Sequence, residues 1–290
     1  MTDWISRHSL DENIFIPQMF EGFPEMKEAL IADRLQAGFL VAPLAIALRS
    51  QGVPIKIVYL GHRYGSAVVV HKDGPIRAPR DLRGKTIAVP SRFSDERLIV
   101  LKVLKENGMS QRDVKLVEMA PPDVPSALAV KAIDAFAMGE PFPAQAEMDG
   151  YGRVLFHARE HWPDYVSCVL VVRDDAIATR AASVQALVDG IARSGLWLDQ
   201  GRAHREYAAE FVGRYYYRQR PSLLRWALTN PLERIAYTPL SPTRPDFELI
   251  VRLMHESGVL EKPLPFESFV DTRFAEGAAG QRAWPFEATP

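Results

Sequence analysis

The run Lys85-Thr86-Ile87-Ala88-Val89-Pro90, followed by Ser91-Arg92-Phe93-Ser94 and then residues 95–107, decides the fold class. A short apolar, β-branched run closed by proline reads as a strand. Ser91 or Ser94 can accept from the free N–H groups that open a helix. Leu98, Leu101, Val103 and Leu104 then recur at roughly helical spacing until Gly108 closes the segment as a C-cap. Strand, turn and helix in that order are the opening of a βαβ unit.

The same alternation extends in both directions. Upstream, residues 55–60 and 66–71 read as strands, the second ending in the turn Lys72-Asp73-Gly74-Pro75. Downstream, strands are predicted over 115–119, 132–138, 152–156 and 168–173, with helices over 124–130 and 143–149. The class is therefore α/β with a mainly parallel sheet. From residue 182 onward the pattern turns helical, with amphipathic helices over 182–198, 202–216 and 245–257, so the C-terminal third is α-rich. Pro121-Pro122 and residues 238–245 read as loops rather than linkers, and no internal repeat is visible. At 290 residues the chain exceeds the usual single core, and two lobes are expected.

Composition narrows the function classes. With 47% hydrophobic and 24% charged residues, the chain can bury a sizeable core. Lys plus Arg number 35 against 36 Asp plus Glu, a net charge of -1 that offers no general attraction to nucleic acid. The single cysteine, Cys168, excludes an internal disulfide and lies in an apolar run, where it reads as a small buried hydrophobe. No stretch reaches the ~18 apolar residues that cross a bilayer. Residues 1–13 lack the apolar core of a secretory signal.

Several constellations invite a chemical reading. His157-Ala158-Arg159-Glu160-His161 matches the H-x-x-E-H zinc pattern. Pro163 follows at once and leaves room for about one helical turn, so a polar loop with His161 and Trp162 facing a cleft is the preferred reading, and no metal or cofactor is assigned. Glycine-rich dinucleotide, P-loop and nucleophile-elbow motifs do not occur. Asp174-Asp175 reads as a solvated turn or helix cap, and the aromatic, basic segment 214–220 as a helix end with snorkelling arginines. The turn Ser91-Arg92-Phe93-Ser94 gathers hydroxyls, a guanidinium and helix-opening N–H groups, a metal-free way to hold a small anion. Gly139-Glu140-Pro141-Phe142 is the equivalent turn after a later strand, and ligands of open α/β sheets collect at such strand ends.

Gly139-Glu140-Pro141-Phe142-Pro143-Ala144-Gln145-Ala146, His161-Trp162-Pro163 and Val169-Leu170-Val171-Val172-Arg173-Asp174 together resemble the G-E-P-W/F, A, W-P and V-R-E/D run of nitrate- and bicarbonate-type solute-binding proteins of ABC importers. Arg83-Gly84-Lys85-Thr86-Ile87-Ala88-Val89-Pro90 is similar to an element shared with sulfonate, taurine and thiamine-precursor receptors, and residues 30–43 and 245–274 continue the likeness. The resemblance implies a type II periplasmic-binding-protein fold, two α/β lobes closing on a hinge, with lobe one at 1–82 and 168–290 and lobe two at 83–167. It implies a non-catalytic receptor that hands a small anionic solute to a membrane permease. By motif position the contacts fall at Ala42 and Pro43, at Ser91, Arg92, Phe93 and Ser94, at Gly139 and Glu140, and at His161 and Trp162. The family also begins with an export signal, a first strand and a first helix that residues before about Ile14 do not show. Arg34 and Phe39 depart from the family pattern too. These differences keep two alternatives open: an enzyme on the same scaffold, of thiamine-pyrimidine synthase or lyase type, and a cytoplasmic ligand sensor.

Overall fold

The computed structural model describes residues 15–20, 22–215 and 219–287. The export-signal reading of residues 1–13, and the expectations touching residues 216–218, lie outside the described residues. The strands are β1 (Ala37–Val41), β2 (Ile55–Leu60), β3 (Arg63–Tyr64), β4 (Ser66–His71), β5 (Thr86–Val89), β6 (Lys115–Glu118), β7 (Ala135–Gly139), β8 (Gly152–His157), β9 (Cys168–Arg173) and β10 (Ile235–Ala236). Among the helices are α1 (Phe23–Ile31), α2 (Ala42–Ser50), α3 (Asp95–Glu106), α4 (Val124–Ala129), α5 (Phe142–Met148), α6 (Ala158–His161), α7 (Asp174–Thr179), α8 (Ala181–Leu198), α9 (Arg202–Tyr215), α10 (Pro221–Thr229) and α11 (Arg244–Glu256).

Two main sheets result, one of three strands in the order β1-β9-β2 and one of five in the order β6-β5-β7-β4-β8. The expected mainly parallel sheet is in fact mixed. β5 runs parallel to β6 and β7, whereas β4 is antiparallel to β7 and β8, and β9 is antiparallel to β1 and β2. Parallel pairing needs a crossover connection, which α3 and α4 supply between β5, β6 and β7. β4 enters its sheet directly from β2 and β3 with no intervening helix, so nothing turns it to the parallel sense. Its ladders place Ser66–His71 in the five-stranded sheet, although the expected lobe boundary counted those residues with the first lobe.

One apolar core runs from sheet to sheet, including Leu40, Ile57 and Leu170 on one side and Val68, Ile87 and Leu104 on the other. α3 is buried almost all round its first two turns, because Leu98, Ile99 and Val100 follow one another and face different neighbours. The C-terminal third divides: Val270 bridges Ile57 of β2 and Asp271 N–H donates to the Ile57 carbonyl, while an earlier part leaves the three-stranded sheet. Leu223 and Ala227 of α10 pack on Ala144 of α5, and Arg234 reaches Glu140 and Glu147.

A cavity of about 230 Å3 lies between α8, α9 and the loop after β10, with Gly61, Gly195, Leu198, Phe211 and Tyr237 among its lining. Gly195 lets the loop approach closely, since a Cβ there would stand 2.6 Å from the Tyr237 carbonyl oxygen. Gly195→Ala is expected to destabilise the fold by about 1–3 kcal/mol through overpacking, read as a lowered urea midpoint. An unchanged midpoint would mean that the loop yields freely.

Candidate functional site

The two sheets are joined by crossing segments 61–66 and 163–168, which pair with each other. Gly61 N–H donates to the Cys168 carbonyl at 2.8 Å, Tyr64 N–H to that of Tyr165 at 3.2 Å, and Arg63 bridges Val166. Arg63 also makes a bidentate pair with Asp246 of α11, at 3.0 and 2.9 Å. Three strand-to-helix turns converge beside this crossing. Ala42 N–H, opening α2, donates to the Ser167 carbonyl at 3.2 Å. Glu140 N–H, after β7, donates to the Gly65 carbonyl at 2.7 Å, and Gly139 lies in register with Ser66. A Cβ on Gly139 would stand 3.4 Å from Glu96 Oε1, so the turns after β5 and β7 share one seam.

The polar groups expected to hold an anion are largely engaged within the protein. Ser91 Oγ accepts from Phe93 N–H at 3.1 Å and Ser94 Oγ from Arg97 N–H at 3.1 Å, which makes Ser94 the cap of α3. Arg92 is exposed, its guanidinium 4.6 Å from the Phe93 ring centre. Ala42 and Pro43 are buried at the start of α2. The Glu140 carboxylate accepts from Arg234 at 2.6 Å and from Ala144 N–H at 3.1 Å. Burial pushes Glu140 up to about 7 against the pull of Arg234.

His161 and Trp162 part company. Glu160 accepts from His157 N–H and caps the single turn α6, while His161 Nδ1 lies 3.0 Å from Glu106 Oε2 and its ring meets Phe156 edge-on. Trp162 belongs to the main core, 2% exposed and edge-on to Tyr165. Among the described residues, no three His, Cys, Asp or Glu side chains gather closely enough to hold a metal ion. Asp174 and Asp175 open α7, paired with Arg49 and Arg173 respectively.

The seam holds polar side chains that the motif reading did not single out. Asp95 and Glu96, the first two residues of α3, are 0% and 4% exposed. Tyr165 OH donates to Asp95 Oδ2 and Ser66 Oγ donates to Glu96 Oε1 at 3.1 Å. Burial raises both carboxyls, and for Asp95 the adjacent Glu96 adds to the rise. His62 sits by the crossing, its ring edge-on to Tyr237, and burial holds it below the usual histidine range. The sequence signal for this cluster was the all-round apolar run after Arg97, which requires the opening turn of α3 to be buried together with its acids. Burial pushes the Cys168 thiol up to about 12, with Asp95 and Glu96 adding to the effect. Alkylation of the native thiol by iodoacetamide at pH 8 is expected to run about a thousandfold slower than that of a free cysteine, whose pKa is ~8.5. A rate near the free-thiol value would contradict this.

The chain is similar to known proteins in both sequence and fold. The taurine-binding periplasmic protein of Escherichia coli K12 is 30% identical over 192 residues, 62% of this chain and 59% of that protein, so the match spans less than two thirds of the relative's own length. The ligand-binding component of an ABC-type import system from Staphylococcus aureus, solved with zinc bound, superposes with a TM-score of 0.85 at 22% identity, over 96% of this chain and 93% of that one. The periplasmic aliphatic sulphonate-binding protein of Escherichia coli gives 0.71 at 17% identity, over 85% and 79%. Both structures share the expected two-lobed α/β fold, and no described helix is long and apolar enough to cross a membrane. The model of the NMT1-like family matches residues 10–213, and the chain belongs to that family.

Proposed function

We propose that this chain is the solute-binding component of an ABC-type importer, taking a small polar solute in the seam between its two sheets and delivering it to a membrane permease on the periplasmic side. The observation that carries the reading is the convergence of three strand-to-helix turns, at Ala42, at Ser94 and at Gly139, beside one pair of crossing segments. Such a crossing is where two sheet-bearing lobes can rotate about few backbone bonds. On sheet membership we place lobe two at about residues 66–157, in place of 83–167, with α10 resting on it. The role is binding rather than turnover: the one cysteine in the seam is held as a thiol, far from a nucleophilic thiolate.

A bare anion at the opening of α3 would meet two buried carboxylates. A solute that carries both signs of charge, such as the taurine for which one relative is named, fits the seam better. Purified protein should be titrated with taurine, aliphatic sulfonates, nitrate, bicarbonate and pyrimidines while its melting is followed. At a hundred times Kd a ligand stabilises by about 2.7 kcal/mol. That corresponds to a rise of roughly 5–10 °C for a chain of this size. No rise with any of them would overturn the receptor reading.

A further inference from the structure

We propose that Asp95 and Glu96 form a subsite for a protonated nitrogen of the solute, an ammonium or amidinium group; the proposal rests on the receptor reading given above. The two carboxylates are more than nine-tenths buried, and each keeps one oxygen, Asp95 Oδ1 and Glu96 Oε2, without a hydrogen-bond partner in the protein. The donors around them are all neutral: the hydroxyls of Tyr165 and Ser66 donate to the other two oxygens, and the hydroxyl of Ser167 beside Asp95, that of Ser94 beside Glu96 and each residue's own backbone N–H add to them. Among the described residues no ion pair reaches either one. Arg97, next along the helix, turns away: its guanidinium donates to Gln111 and its charged neighbours are Glu118 and Arg92. Arg63 is committed to Asp246 and Arg234 to Glu140 and Glu147.

Two buried carboxylates side by side without a counter-cation are costly, and leaving carboxylate oxygens unpaired adds to that cost. The opening of α3 favours negative charge there, yet it supplies only a fraction of a compensating unit charge. A protonated nitrogen between the pair would satisfy both open oxygens with charge-assisted bonds. A calcium-type ion fits less well, since it asks for six to eight oxygens and the seam gathers two carboxylates and hydroxyls. Geometry also gives a way in. Glu96 abuts the bare backbone of Gly139, which is part-exposed.

Matched pairs of probes test this by thermal shift and calorimetry on the whole chain: taurine against isethionate, β-alanine against propionate, and ethylamine against ethanol. The expected result is at least a tenfold preference for the amine of a pair, lost in Glu96→Gln and in Asp95→Asn. The ligand-free Glu96→Gln protein is expected to melt at the wild-type temperature or above it, because the substitution relieves like charge. A merely structural carboxylate would lower it. If amine-free partners bind equally well, or if Glu96→Gln keeps the preference, the subsite is refuted while the receptor reading stands. Stabilisation by calcium or zinc chloride alone, lost in Glu96→Gln, would reassign the pair to a metal and also refute it. If neither these probes nor the wider panel of solutes shifts the melting, the receptor reading falls and the subsite with it.

Discussion

Arg205→Met is expected to cost about 3–5 kcal/mol and to loosen the whole C-terminal third. Arg205 is 4% exposed on α9, yet its guanidinium reaches five acceptors. Nε donates to the Leu198 carbonyl at the end of α8, Nη1 to those of Leu228, Leu232 and Ile235, and Nη2 to Asp199 at 2.6 Å. Asp199 in turn accepts from Tyr237 N–H and Thr238 Oγ1, so one side chain fixes the ends of two helices and the strand β10. Methionine keeps most of the stem's packing but orphans the carbonyls and leaves Asp199 with its charge unpaired. Breaking one partner of a buried pair costs about this much, because the other charge stays behind. The check is urea denaturation. With a slope of about 1–3 kcal/mol/M or somewhat more at this size, the midpoint should fall by roughly 1–2 M. Arg205→Lys should recover less than half, since a point ammonium cannot span the fork that meets these acceptors. Recovery to wild type by lysine would show that charge alone matters at this position.

The strands and helices between residues 55 and 173 were legible because both periodicities are clean there. Residues 55–60, 66–71 and 168–173 coincide with β2, β4 and β9, and α3 ends one residue before its expected end at 107. α10 was missed because Pro221 to Thr229 is short and follows a polar, aromatic stretch that shows no period of its own. Sheet direction was illegible for a different reason. Strand pattern reports burial, not sense, and β4 reads the same whichever way it runs. The strand-end turns lie beside one seam, but which of their groups remain available there depends on contacts no local pattern encodes. Ser94 and Glu140 carry the right chemistry and direct it inward, to Arg97 and to Arg234. Asp95 and Glu96 looked like ordinary first-turn acids until burial removed their solvent.

Arg234→Met should make stability strongly pH-dependent, since it removes the cation that Glu140 needs. Arg234 and Glu140 are both almost fully buried, 2.6 Å apart, and Glu147 completes the network at 2.6 Å. In the native protein Glu140 stands at about 7, above its usual 4.5. A carboxyl raised on folding contributes its stability in full below the unfolded value and loses it as pH climbs to the folded one. That loss, about 3 kcal/mol for a shift of this size, falls between pH 4.5 and 7 and is complete above it. Without Arg234, desolvation acts unopposed and the folded value rises past 7, so the variant continues to lose stability where the native protein has levelled off. The gap between variant and wild type should therefore be modest at pH 5 and reach about 3–5 kcal/mol at pH 8.5. The double variant Arg234→Met, Glu140→Gln separates charge from packing: it should regain most of the loss at pH 8.5 and little at pH 5, where Glu140 is already neutral. A gap that is the same at both pH values, unaffected by Glu140→Gln, would mean that Arg234 acts through its packing on α5 rather than by holding the turn after β7 at the seam.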